Sequence, residues 1–202
     1  MAEARDGPIG STRPGHYGAA DTGVALAETT IASAWNVQGD PSRGTWVDAA
    51  RRLFGVALPL APGTTVRSDP VAALWLGPAS WLLVTHAASA LVDYAAKRDA
   101  LSTAGGALFD VSASRVAWTI SGPRAADVLA KGCPLDFHPR AFAAGACAQS
   151  VFGHIHVLID RRDDDSTFTA MVGRSFARDL WQALCEASAQ YGYRVLPAAP
   201  FR

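Results

Sequence analysis

The stretch Leu108–Phe142, LFDVSASRVAWTISGPRAADVLAKGCPLDFHPRAF, decides how this chain is read. It runs strand, short turn, second strand, helix start, helix, then a Cys-Pro-Leu-Asp break. Arg115–Ser121 alternates: Val116, Trp118 and Ile120 point one way, and Arg115, Ala117, Thr119 and Ser121 the other. Gly122-Pro123 turns the chain into a helix predicted over Pro123–Lys131, because proline at the first helical position forfeits no intrahelical hydrogen bond. Gly132 follows the helix, where a left-handed backbone is expected.

Working outward, the same order recurs. Glu28–Gln38 reads as a strand, and Asp40-Pro41 as an N-cap followed by proline at the first helical turn. Trp46, Ala50, Leu53 and Phe54 then fall on one helix face, and Gly55 ends it. Leu58–Ser68 reads as a loop. Val71–Leu76 and Trp81–Thr85 form a hairpin around Gly77–Ser80. Ser89–Ser102 is a helix with Asp93 and Lys97 as an exposed pair, and Gly106–Val111 is an extra strand placed to bridge two halves. In the second half, Gln149–Asp160 and Thr167–Val172 make a hairpin across Arg161–Ser166, with Asp163–Asp165 as its solvated tip. Ser175 caps a last helix whose stripe is Phe176, Leu180, Ala183, Leu184 and Ala187, and Gly192 stops it. Strand–helix–hairpin–helix therefore occurs twice. This predicts an α+β fold of two similar halves, each an antiparallel sheet with helices on one face.

Composition narrows the function. The chain has 202 residues, enough for one domain or two small packed ones, and half are hydrophobic, so a sizeable core is expected. Zero formal net charge leaves no basic surplus for nucleic acid or anionic membranes. No apolar run approaches the ~20 residues of a membrane helix. Residues 1–24 lack an apolar core and are expected to be a flexible tail rather than a secretory signal, with 196–202 a C-terminal tail. Cys133, Cys147 and Cys185 form neither a disulfide framework nor a Cys-x-x-Cys, which suits a cytosolic protein with reduced thiols.

No motif of nucleotide binding or nucleophilic catalysis is present: G-x-G-x-x-G, G-x-x-x-x-G-K-[ST] and G-x-S-x-G are all missing. Cys133 sits at a helix exit, the dipole end that does not activate a thiol, and is expected to be buried. His154 and His156 are two apart on a strand and share a face with Asp160, a geometry open to metal, but a polar sheet face is the simpler reading. Asp127 is placed on an exposed helix side, and Asp136 as a cap for the next turn. Asp110, at a strand end before Val111-Ser112, is the best-placed functional carboxylate, although a structural hydrogen bond is favoured there. The six tryptophans suit either core packing or interface anchoring.

Several pieces in order carry a family resemblance. They are Ala73-Leu74-Trp75-Leu76-Gly77-Pro78, Asp110-Val111-Ser112, Ile120-Ser121-Gly122-Pro123, Lys131-Gly132-Cys133-Pro134-Leu135-Asp136, Arg174-Ser175-Phe176-Ala177 and Leu180-Trp181. Across roughly residues 29–192 the chain resembles the gamma subunits of heterotetrameric sarcosine oxidase, themselves related to the folate-binding part of the glycine cleavage T-protein. The resemblance implies ferredoxin-like halves at about 25–104 and 105–195, within one domain spanning 25–195. It implies a non-catalytic accessory chain in an oxidoreductase, with alpha, beta and delta subunits as partners. It implies that FAD, FMN, NAD and tetrahydrofolate are held by those partners, with no cofactor or metal on this chain. Contacts with a partner or a folate chamber are expected at Asp110, Arg115, His154, His156 and Arg174. An autonomous folate-dependent aminomethyltransferase is the alternative, but it calls for about twice this length.

Overall fold

The computed structural model describes residues 13–20, 22–162 and 166–201; the expected tip at Asp163–Asp165 lies outside them. The strands are β1 (Gly15–Tyr17), β2 (Val24–Thr30), β3 (Ser33–Gln38), β4 (Thr65–Ser68), β5 (Val71–Gly77), β6 (Ser80–Thr85), β7 (Ala107–Asp110), β8 (Arg115–Ser121), β9 (Cys147–Phe152), β10 (Ile155–Arg161), β11 (Thr167–Gly173) and β12 (Tyr193–Pro200). The α-helices are α1 (Gly44–Phe54), α2 (Tyr94–Thr103), α3 (Ala125–Ala130) and α4 (Ala177–Ser188). The chain divides into two compact units. One comprises Thr30–Arg115, Gly145–Gln149 and the described residues from Pro200; the other comprises the described residues to Thr29, Val116–Ala144 and Ser150–Ala199.

The first unit holds a five-stranded antiparallel sheet ordered β4-β5-β6-β3-β7. Leaving the edge strand β4 aside, β3-α1-β5-β6-α2-β7 is a ferredoxin-like unit, its first strand between the third and the fourth. One sheet face carries Trp35, Val37, Ala73, Trp81, Leu83 and Leu108, and these pack with Trp46, Ala50 and Phe54 of α1 and Leu101 of α2. That is the face expected of α1. Burying each large apolar side chain contributes roughly 1.5–3 kcal/mol. Trp46 and Trp81, both fully buried, lie 5.3 Å apart.

The second unit holds a seven-stranded sheet ordered β1-β12-β2-β8-β11-β10-β9. Leu26 opposes Ile120 and Glu28 opposes Trp118 across β2 and β8. Trp118 packs 6.5 Å from Trp181 of α4, and α3 buries Ala125, Val128 and Leu129. A separate aromatic group, Phe137, Phe142 and Phe168, is closed by the buried Arg161, which donates to the Phe142 carbonyl at 2.5 Å and lies over the Phe168 ring.

Several sequence expectations need correction. Glu28–Gln38 is two strands in different sheets, and Gln149–Asp160 is a hairpin turning at Gly153-His154. No glycine or proline marks the first break, Gly153 by itself did not identify the second, and pairing reveals both. Thr65–Ser68 in the expected loop is β4, a short strand formed because β5 offers it an edge. Asp40 does not cap α1. Its carboxylate accepts from Ser42 N (2.9 Å) and Ser42 Oγ (2.7 Å), and the helix begins after Arg43. The helix expected at Ser89 begins only at Tyr94, because Asp93 is left-handed at φ 56°. Lys97 donates to the Leu53 carbonyl rather than joining Asp93.

Ser175 does not cap α4. A short 3-10 turn over Arg174–Phe176 precedes that helix, whose buried stripe is Ala177, Leu180, Trp181, Leu184 and Ser188, so Phe176 is exposed. Gly132 has no positive φ. Its need for glycine is steric, since a Cβ there would fall 2.7 Å from the Phe152 ring. The expected 104/105 division falls inside the first unit, because β7 pairs with β3 along Trp35–Gln38 and bridges nothing. The segments expected as tails contribute β1 and β12, which pair with each other.

Candidate functional site

The five residues expected to meet a partner or folate do not assemble into one catalytic constellation. Asp110 ends β7, exposed, with its carboxylate accepting from Ser112 N (2.9 Å) and Ser112 Oγ (2.5 Å). Ser112 Oγ in turn accepts from Ala34 N at 2.9 Å, pinning the turn to β3. This is the structural hydrogen bond favoured for Asp110. Arg115 opens β8, and its Nε is buried without a hydrogen-bond partner among the described residues. His154 lies in the β9–β10 turn and His156 on β10, both exposed. Asp160, expected on their face, is fully buried, so the three do not converge. Among the described residues no group of three His, Cys, Asp or Glu side chains could hold a metal.

Arg174 acts electrostatically on a carboxylate, that of Glu28, a residue the sequence reading did not single out. Glu28 is half-buried near the end of β2, on the face it shares with Trp118. Burial pushes its carboxyl above the usual range, and the Arg174 guanidinium only partly offsets this. The available signal was parity: Glu28 follows Val24 and Leu26 on the buried face of one strand. Asp127 and Asp136, the other carboxylates within the resemblance, have local partners. Asp127 pairs with Arg124 at 3.1 Å, and Asp136 accepts from His138 N at 2.9 Å, the cap expected of it.

The thiols are free, and Cys133 and Cys147 are buried. Cys133 lies 3.5 Å from Ser150 Oγ. Cys185 contacts Tyr193; burial pushes its thiol up, and burial together with that contact pushes the Tyr193 phenol up to about 12.

Five tryptophans are buried and Trp75 is half-buried, so core packing is what tryptophan does here. Among the described residues, the large apolar side chains left exposed are Tyr17, Leu60, Val92, Phe109 and Phe176. Phe109 stands on β7, an edge of the five-stranded sheet, and edge strands readily accept another chain. No helix among the described residues is long and apolar enough to cross a membrane. A cleft of about 400 Å³ in the five-stranded unit carries Arg67, Asp69 and His86.

Comparison with known proteins gives a consistent result. Residues 38–190 match the family model described as "Sarcosine oxidase, gamma subunit family". The sarcosine oxidase subunit gamma of Corynebacterium sp. (strain U-96) is 34% identical over 149 residues, covering 73% of this chain and 71% of that one. Its Arthrobacter sp. counterpart is 33% identical over 146 residues, covering 72% and 70%. Among solved structures, a chain of the heterotetrameric sarcosine oxidase from Corynebacterium sp. U-96, in complex with pyrrole 2-carboxylate, superposes with a TM-score of 0.73. It shares 29% identity and the match covers 87% of this chain and 88% of that one. The glycine cleavage system aminomethyltransferase T from Bartonella henselae has a TM-score of 0.61 at 17% identity, with 48% of its chain covered, a likeness of fold alone.

Proposed function

The chain belongs to the sarcosine oxidase gamma subunit family, and from that premise we propose that it is the accessory gamma chain of a heterotetrameric sarcosine oxidase. The observation that carries this is the near-complete superposition on a chain of such an assembly, over 88% of its length. The chain packs on the alpha subunit of a complex completed by beta and delta subunits. Those partners hold FAD, FMN, NAD and tetrahydrofolate. Together they oxidise sarcosine to glycine, with formaldehyde or methylene-tetrahydrofolate and hydrogen peroxide as the other products. This chain supplies surface and stability rather than reacting groups. In support, Asp110, Asp127 and Asp136 are each engaged in a local bond. Three free thiols suit a cytoplasmic location.

Partner contacts are proposed at Phe109 and Phe176, whose exposed rings suit interface anchors, and at the polar Asp110, Arg115, His154, His156 and Arg174. The test is purification of the tagged chain from its native cells, followed by mass spectrometry and a flavin absorbance scan. A yellow complex with three further subunits is expected. A colourless chain without partners, or an isolated chain that oxidises sarcosine, overturns the reading.

A further inference from the structure

The segment that leads out of β7 presents its side chains on a rigid frame. Leu108 packs into the core shared with α1 and α2. Phe109, the next residue along the strand, therefore projects from the opposite face of the sheet, where it is 49% exposed. The outer edge of β7 is partly capped: Leu108 O accepts from the Tyr94 hydroxyl at 2.8 Å, and Gly106 N donates to Leu101 O at 2.9 Å. What this strand offers a partner is therefore its side chains. The turn that follows is fastened to β3 and to itself. Val111 N donates to Ala34 O at 2.9 Å, and Ser112 Oγ accepts from Ala34 N at 2.9 Å. Ser114 N and Oγ both donate to Val111 O, at 3.0 and 2.8 Å. Asp110 closes the set by accepting from Ser112 N at 2.9 Å.

Arg115 ends this turn. Its side chain is only partly exposed, and its Nε is buried without a hydrogen-bond partner among the described residues. No carboxylate among them forms an ion pair with it. A guanidinium carries a full charge and five donors, so withdrawing it from water without a partner costs free energy, and such groups in folded proteins are nearly always completed. A carboxylate, whose two oxygens match the guanidinium donors, completes it best. The exposed Phe109 ring, six residues earlier on the same turn, calls for an apolar recess. Aromatic rings and arginine are the side chains that most often carry the energy of a protein interface. A turn already fixed by its own hydrogen bonds loses little freedom when it docks.

We propose that the Phe109–Arg115 turn docks on an acidic, apolar site of the partner alpha subunit, where Phe109 enters an apolar recess and Arg115 receives a carboxylate. This rests on the gamma-chain reading above and adds the chemistry that the partner surface presents.

Competition for the assembly tests it. Wild-type and variant copies of the full chain, differently tagged, are co-expressed in excess in native cells whose own copy is deleted. The complex is recovered through its alpha subunit, and mass spectrometry reads the ratio of the two tags. Arg115→Met is expected to be under-represented by about 30-fold or more, and Phe109→Ser by about tenfold. Arg115→Glu should fall below Arg115→Met, because like charges then meet. Arg115→Lys, which keeps the charge, should lie between Arg115→Met and the wild type. Thermal unfolding of each isolated chain monitors the fold, and Phe109→Ser, at an exposed position, serves if the Arg115 variants do not fold. Equal incorporation of folded Arg115→Met or Phe109→Ser and the wild type overturns the proposal, and so does Arg115→Glu incorporated as well as Arg115→Met. In those cases the wild-type chain still enters the complex and the gamma-chain reading stands. A wild-type chain that recovers no partner subunit overturns that reading and this proposal together.

Discussion

Replacing Gly39 with alanine should destabilise the protein through one identifiable collision. A Cβ at position 39 would lie 2.1 Å from Trp46 Cε2, 2.2 Å from Cζ2 and 2.4 Å from Nε1. Non-bonded carbon contacts are comfortable at roughly 3.5–4.0 Å, so ring or strand must move by more than an ångström. The indole has little room. It is fully buried, lies 5.3 Å from Trp81, and meets the Gly106 backbone, where a Cβ would fall 2.3 Å from Nε1. Trp81 is itself held, its Nε1 donating to Pro59 O at 2.7 Å.

Overpacking of a closed core costs about 1–3 kcal/mol. Against this, alanine reduces the freedom of the unfolded chain, a stabilisation of about 0.4–1 kcal/mol. Because three ring atoms are struck at once, the overpacking cost should lie near the upper end of that range, about 3 kcal/mol, and the expected net loss for Gly39→Ala is about 2 kcal/mol. For a chain of this size that lowers the unfolding midpoint by about 4–8 °C. Thermal and urea unfolding followed by far-ultraviolet circular dichroism measure it. Trp46→Phe removes the struck ring atoms, so adding Gly39→Ala in that background should cost less than it does in the wild type. An unchanged or raised midpoint for Gly39→Ala, or strictly additive costs in the double variant, would refute the steric argument.

Other expectations follow from the same structure. Glu28 has a folded pKa above its ordinary value of 4.5, so the folded state binds more protons in that window and stability falls as pH rises through it. Glu28→Gln should therefore raise the unfolding midpoint at neutral pH, with the gain vanishing near pH 4; a gain unchanged at pH 4 contradicts this. Tyr193 should ionise at about 12, so an alkaline titration of phenolate absorbance should lose its step near pH 12 in Tyr193→Phe. Gly132→Ala should also destabilise, by about 1–2 kcal/mol through the Phe152 ring, and shortening that ring in Phe152→Leu should relieve part of the added cost. Phe176→Ser should leave the chain's own unfolding free energy within about 0.5 kcal/mol, since the ring is exposed. The same change should weaken recovery of the partner subunits, and full recovery would remove Phe176 from the interface.

Element type was legible where periodicity is local. The alternation at Val116, Trp118 and Ile120 marked β8, and Trp46, Ala50 and Phe54 marked the buried face of α1. Gly55 and Gly192 were rightly read as stops and have positive φ. Boundaries failed where propensity leaves a choice that pairing decides. Ile31 and Ala32 sit between two strands assigned to different sheets, and no glycine or proline there says so. Of the expected contact residues, Arg174 exerts its charge on Glu28, which stands far away in sequence and looked like an ordinary strand residue.

The sequence by itself determined the α+β class, the repeated strand–helix–hairpin–helix order and, through short motifs in a particular order, the family. These depend on side-chain period and local turn chemistry, which act over a few residues. Tertiary structure decided which strands pair, why Gly39 and Gly132 must be glycine, and which charged groups meet. Register brought Arg67, Asp69 and His86 to one sheet end, and burial raised the pKa of Glu28. Such outcomes depend on the distance between groups remote along the chain and on the water excluded around them. Both exist only once the sheets have formed.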